Sequence, residues 1–220
     1  MADAKKGDSF MRQNRIKKCL TTVLSGILVL SLSGCGQTAK LPEEVVNTSL
    51  VVEKDGKVIS YLVNTFDKDF YSLDGLEEMV KNEAEEFNAA HTDTPEEALT
   101  VKTVQALDDG AMVQVVQEFD SADSYAEYND QDLFYGTRVE ALAQGSPVNK
   151  ELVNAADGTP ADPDKLEKAL EKGHLIITNA SAYIYCPYPV LYISEGVVMG
   201  EDGYVDASQS DGVVTILMKK

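Results

Sequence analysis

Three cysteines and two histidines are the residues of this 220-residue chain best suited to nucleophilic or metal chemistry. A cysteine nucleophile needs its thiolate form, a neighbouring base and a partly exposed, electropositive setting. Cys186 stands instead in Tyr183-Ile184-Tyr185-Cys186-Pro187, an apolar run in an acidic chain, and reads as a buried structural thiol despite His174 upstream. With only His91 and His174 there can be no His-rich metal site, and no cluster has zinc-ligand spacing. Asp120-Ser121-Ala122-Asp123 and the Asp157–Asp164 loop offer oxygens, but neither has the EF-hand pattern, so both read as turn and cap residues. There is no phosphate loop, dinucleotide fingerprint or Gly-x-Ser-x-Gly elbow. No catalytic residue, metal or cofactor is expected. Tyr183, Tyr185, Tyr188 and Tyr192 form a local aromatic cluster. Exposed, they could stack on sugar rings or anchor a protein partner. Tyr183 and Tyr185 share strand parity, so they could equally line one sheet face.

The remaining reactive group is the Cys35 thiol. Before it, Arg12, Arg15, Lys17 and Lys18 make a positive stretch, and Leu20 to Leu32 is apolar apart from Thr, Ser and Gly. A charged start, about 7–15 apolar residues and small residues before a cut is the secretory signal pattern. The run is shorter than the roughly 20 residues needed to cross a bilayer. Either Met1 or Met11 can begin this segment.

Leu32-Ser33-Gly34-Cys35 resembles the lipobox of bacterial lipoproteins. The resemblance implies that Leu32, Ser33 and Gly34 are the peptidase recognition positions and that Cys35 accepts a diacylglycerol. It divides the chain into a signal peptide at 1–34, a lipidated N-terminus and tether at 35–44, and one extracytoplasmic domain at 45–220. Cys19 then departs with the signal peptide, and Cys186 is left with no thiol to pair with. Farther on, Phe134-Tyr135-Gly136-Thr137 with Val139-Glu140-Ala141 is similar to a stretch of uncharacterised lipoproteins of Gram-positive anaerobes, which brings no function with it.

Charge agrees with two parts of different fate. Residues 1–34 hold six basic and two acidic side chains, which leaves 13 basic and 35 acidic residues, a balance of about −22, in 35–220. Such a body repels nucleic acid and anionic headgroups, since phosphate binding needs clustered Lys and Arg. A hydrophobic content of 44% is enough for a core.

The elements that must carry these residues follow from periodicity. Leu50–Val52 and Val58–Val63 flank Asp55-Gly56, and 101–107 and 111–119 flank Asp109-Gly110: two hairpins. Residues 72–90 form a helix with Leu76, Val80, Ala84 and Phe87 on one face, capped by Ser72 or Asp74. Pro95 starts a short helical turn. Residues 121–145 read as helix in pieces, with Ser124-x-x-Glu127 and Thr137-x-x-Glu140 as capping boxes and a break at Gly136. A loop over 146–163 leads to a helix ending at Gly173, then to strands at 175–177, 182–186, 190–193 and 213–218. The order suggests an α+β fold with a largely antiparallel sheet.

The expected function is that of a non-catalytic binding or structural lipoprotein, on the extracytoplasmic face of the cell membrane and held there by lipid on Cys35. Its partner would be an envelope protein or a cell-wall ligand, not nucleic acid. The alternatives are a solute-binding component of a transporter, for which the chain is short, and an envelope hydrolase, for which no catalytic constellation is visible.

Overall fold

A computed structural model describes residues 39–92 and 97–220. The signal-like segment, the Leu32–Cys35 motif and the turn expected at Pro95 lie outside the described residues. What is described is a mixed α+β fold with two sheets in place of the single sheet expected.

The two hairpins form as the sequence requires. In the first, β1 (Ser49–Val52) and β2 (Val58–Thr65) are joined by a turn in which Asp55 accepts the Lys57 N–H at 3.2 Å and Gly56 takes a φ of +96°. In the second, β3 (Leu99–Leu107) and β4 (Met112–Phe119) flank a 3₁₀ turn at Asp108–Gly110. A bulge between Val101 and Thr103 interrupts β3, the edge strand. Between the hairpins, α1 (Leu73–Ala90) is capped by Ser72, which accepts the Gly75 N–H at 3.2 Å.

Residues 121–145 depart from the expected helix. The chain forms α2 (Ala122–Asn129), then strand β5 (Leu133–Gly136), then α3 (Arg138–Ala143). The reason is burial on two sides. Leu133 and Tyr135 face one core and Phe134 the other, an alternation only a strand can make. The Thr137–Glu140 capping box is present and begins α3 after the strand, whereas the box expected at Ser124–Glu127 does not form, because Ser124 lies inside α2 and Ser121 caps that helix by accepting the Ser124 N–H. In the loop expected over 146–163, β6 (Leu152–Asn154) forms because Leu152 is buried.

The remaining elements are α4 (Pro163–Lys172), β7 (His174–Thr178), β8 (Tyr183–Tyr185), β9 (Val190–Ser194), β10 (Val198–Met199), β11 (Val205–Asp206) and β12 (Val214–Met218). Asp162 caps α4. Gly173 after it is required by closeness: a Cβ there would lie 2.5 Å from the Met218 carbonyl oxygen.

Strand order is β10-β11-β8-β1-β2-β4-β3 in the first sheet and β5-β7-β12-β9-β6 in the second. All pairings are antiparallel except β1 with β8. One core lies between the sheets, built on Leu50, Val58, Phe119, Ile184, Ile176 and Ile216. The second joins the other face of the five-stranded sheet to α3 and α4 through Leu175, Leu217, Leu166 and Leu170. The segment expected to be a tether is partly held: the Lys40 N–H bonds the Asp202 carbonyl at 3.2 Å, and the buried Val45 accepts from Gln114 Nε2 at 2.5 Å.

Candidate functional site

The inward row of β2 runs from a closed core to an open surface. Val58, Ser60, Leu62 and Asn64 alternate onto the face that meets the second sheet, opposite Phe119, Gln117, Val115 and Val113 of β4. Val58 is fully buried, Ser60 nearly so, Leu62 is 44% exposed and Asn64 is exposed. The overlying layer ends along this row, and a groove of about 510 Å³ opens there.

Leu62, Val113 and Val115 make its floor, and Gly75, Leu76 and Met79 of α1 its wall. Its end is a turn tied both to the second hairpin and within itself. Phe66 donates its N–H to the Ala111 carbonyl at 2.7 Å, and Tyr71 donates to Lys68 at 2.9 Å. The Phe66 and Tyr71 rings stack at 4.9 Å, and Phe70 meets Tyr71 edge-on at 4.9 Å. Phe70 remains 80% exposed and Met79 50%. Beyond Leu62 a smaller crevice of about 80 Å³ continues between the sheet and α2, lined by Ser60, Gln117, Tyr125, Asn129 and Gln131 among others. Burial pushes the Tyr125 phenol up to about 12, so it stays neutral and donates to Gln131 at 2.8 Å. In a chain with 25% charged residues, no charged side chain among the described residues lines either opening.

The residues singled out by sequence fall elsewhere. Tyr183 and Tyr185 do share the outer face of the first sheet, where Tyr183 stacks on Tyr204 at 4.7 Å. Tyr185 is only 6% exposed, and burial pushes its phenol up to about 12. Tyr188 lies 5.7 Å from the His174 ring with the Lys54 ammonium 5.6 Å above it. Tyr192 is buried in the second core. The four tyrosines therefore do not form one contact surface, because Tyr183 and Tyr185 stand on the first sheet, Tyr188 in the connection after it and Tyr192 on the second sheet.

Cys186 is buried, its thiol pushed up to about 12 by that burial, and its nearest polar partner is the Ile184 carbonyl at 4.0 Å. His174 Nε2 lies 3.1 Å from Lys220 Nζ, and burial together with that ammonium lowers its pKa. At His91 both ring nitrogens face acceptors, Nδ1 the Phe87 carbonyl at 2.8 Å and Nε2 the Glu127 carboxylate at 3.1 Å, and these bonds raise its pKa. Asp120 accepts from the Ser124 hydroxyl at 2.6 Å and Asp157 from that of Thr159 at 2.6 Å, both as turn residues. Among the described residues no group of three or more His, Cys, Asp or Glu could hold a metal ion, and no helix is long and apolar enough to cross a membrane. The Leu32, Ser33, Gly34 and Cys35 motif lies outside the described residues.

What the sequence reasoning missed is the groove. Its residues carried a signal in Asp69-Phe70-Tyr71-Ser72, where two aromatics interrupt a polar loop just before a helix cap.

The geometry thus defines an α+β domain with an open, uncharged, largely apolar groove at the margin of its main core. Comparison with family models, with curated proteins and with solved structures gives no match to this chain.

Proposed function

We propose that this chain is a lipid-anchored protein of the bacterial cell envelope, displayed outside the membrane, that works by binding a partner in the groove between β2, β4 and α1. The observation that carries the binding reading is apolar surface held open: Leu62, Phe70, Tyr71 and Met79 stay exposed around one concavity. Scattered exposed apolar residues are ordinary, but a contiguous set around a concavity of this size is characteristic of interaction sites. The buried, neutral Cys186 thiol, remote from the groove lining, favours binding over nucleophilic turnover. The anchor reading rests on Leu32-Ser33-Gly34-Cys35 and the signal-like run before it.

Each half has its own test. Metabolic fatty-acid labelling should be lost in Cys35→Ala, and labelling that persists would refute the anchor. A photo-crosslinking residue placed at Met79 in cells should trap a specific product that one placed at Val139, exposed on α3, does not. Equal products from both positions, or turnover in hydrolase assays that depends on Cys186 or His174, would refute the binding reading.

A further inference from the structure

We infer that the occupant of the groove is an amphipathic segment of a basic partner, its apolar side chains in the groove and its Lys or Arg side chains along α1 over Glu83 and Glu86. This rests on the groove being a binding site. The argument is one of charge complementarity along a single helix face. Gly75 and Met79 line the groove, and on the 3.6-residue period Glu83 and Glu86 follow Met79 by four and seven positions on the same side of α1. Farther along the helix Glu83 also faces α2, since its carboxylate accepts from the Tyr128 hydroxyl at 3.3 Å. Both glutamates are exposed, and neither has a cationic partner among the described residues. Lys68 and Lys81, which flank the groove residues in sequence, are already engaged: Lys68 with Asp67 at 3.4 Å and Lys81 with Glu77 at 2.5 Å. Asp69, next in sequence to the exposed Phe70 of the groove, adds a third carboxylate with no cationic partner among the described residues.

The surface therefore has an uncharged apolar slot continued by a line of negative charge. At a rise of 1.5 Å per residue, the carboxylates stand roughly 6 and 10 Å beyond Met79. A helix or extended segment with large apolar residues and a basic residue one to two turns away matches both features. The competing occupants do not. A second copy would bring its own acidic rim, on a body of about −22, against this one. A membrane surface would present anionic headgroups to Asp69, Glu83 and Glu86.

The test uses the full-length chain in zwitterionic nanodiscs, labelled with ¹³C at methionine methyls. The Met79 resonance is assigned by Met79→Leu and reports the groove, while that of the buried Met218 reports the folded core. Three probes are added in turn: hexanol, an amphipathic Leu/Lys peptide of roughly 14 residues, and its Leu/Glu counterpart. The expected result is that hexanol and the Leu/Lys peptide both shift Met79. The peptide should do so at concentrations at least tenfold below the Leu/Glu peptide, and Glu83→Gln with Glu86→Gln should remove most of that difference while Met218 stays in place. If hexanol shifts Met79 but the two peptides act alike, the basic occupant is wrong and the groove reading stands. If no probe shifts it, both fail. A Met79 shift that follows protein concentration alone, or added lipid vesicles alone, overturns the inference in favour of self-contact or a membrane.

Discussion

The central strands of the five-stranded sheet and strands β2 and β4 of the seven-stranded sheet both turn apolar residues toward the core between the sheets and end differently. β7 and β12 are buried at every position, one face against the first sheet and the other against α3 and α4. β2 and β4 put Val58, Leu62, Phe119, Val115 and Val113 on their inner face, with Ser60, Asn64 and Gln117 among them, and along β2 that face passes from full burial at Val58 to open groove at Leu62. The residues are not less hydrophobic there. The covering layer stops. A strand's pattern sets which side its apolar groups take, and only the neighbouring layer decides whether that side is closed.

The comparison can be broken most forcefully in the closed region. Ile216→Ala, in β12, should cost about 2–5 kcal/mol in denaturant unfolding, because the cavity it leaves is walled on all sides. A neutral result would mean that the two-sided burial of β12 is wrong. Leu76→Ala, at the half-buried groove wall, should cost clearly less, since solvent already reaches its position. In the open region, Phe70→Ala or Met79→Asn should change stability by about 0.5 kcal/mol or less while weakening whatever fills the groove. A large loss of stability from either would show that these side chains belong to the core.

The smallest effect sharpens the contrast through pH, since the only two histidines titrate in opposite senses. At His91 the folded pKa is raised above 6.5 by the Phe87 carbonyl and the Glu127 carboxylate. Its contribution is complete below 6.5 and is lost as pH rises through the folded value. At His174 burial and then Lys220 lower the folded pKa, so protonation of the unfolded chain erodes stability as pH falls below 6.5. Between pH 5.5 and 8 the histidine contribution should therefore peak near pH 6.5. His91→Gln should remove the decline on the alkaline side, and His174→Gln the decline on the acid side. Chemical denaturation across that range checks both, and a flat profile in the wild type would contradict the two environments.

The parts of the fold legible in the sequence are those fixed within a few residues. Asp55-Gly56 and Asp109-Gly110 mark turns whose backbone only a few residue types adopt readily, and Asp162-Pro163 marks the start of α4. β5 was not legible, because Ser124-x-x-Glu127 before it and Thr137-x-x-Glu140 after it both read as helix starts, although only the second is a capping box and Ser121 caps α2. Its strand state comes from pairing with β7 and from the two cores that meet across Phe134. The groove was hidden for a related reason. In sequence, Leu62 reads as part of an ordinary strand and Met79 falls outside the Leu76, Val80, Ala84 and Phe87 face, and nothing local says that the layer above Leu62 ends. The tyrosine segment misled in the other direction. Its aromatic density is evident in sequence, but its division between two sheets is a matter of tertiary path.

The hold on residues 40–45 has a mechanical consequence. Any pull from the N-terminal side meets the Lys40–Asp202 and Gln114–Val45 bonds first, and these can peel off one at a time. The load then reaches β1, which is flanked by β2 on one side and by the parallel β8 on the other. Tension along β1 acts across both ladders at once, in shear rather than as an unzipping, so many bonds must yield together. A pull from that end thus enters the folded region through a strand held on both sides.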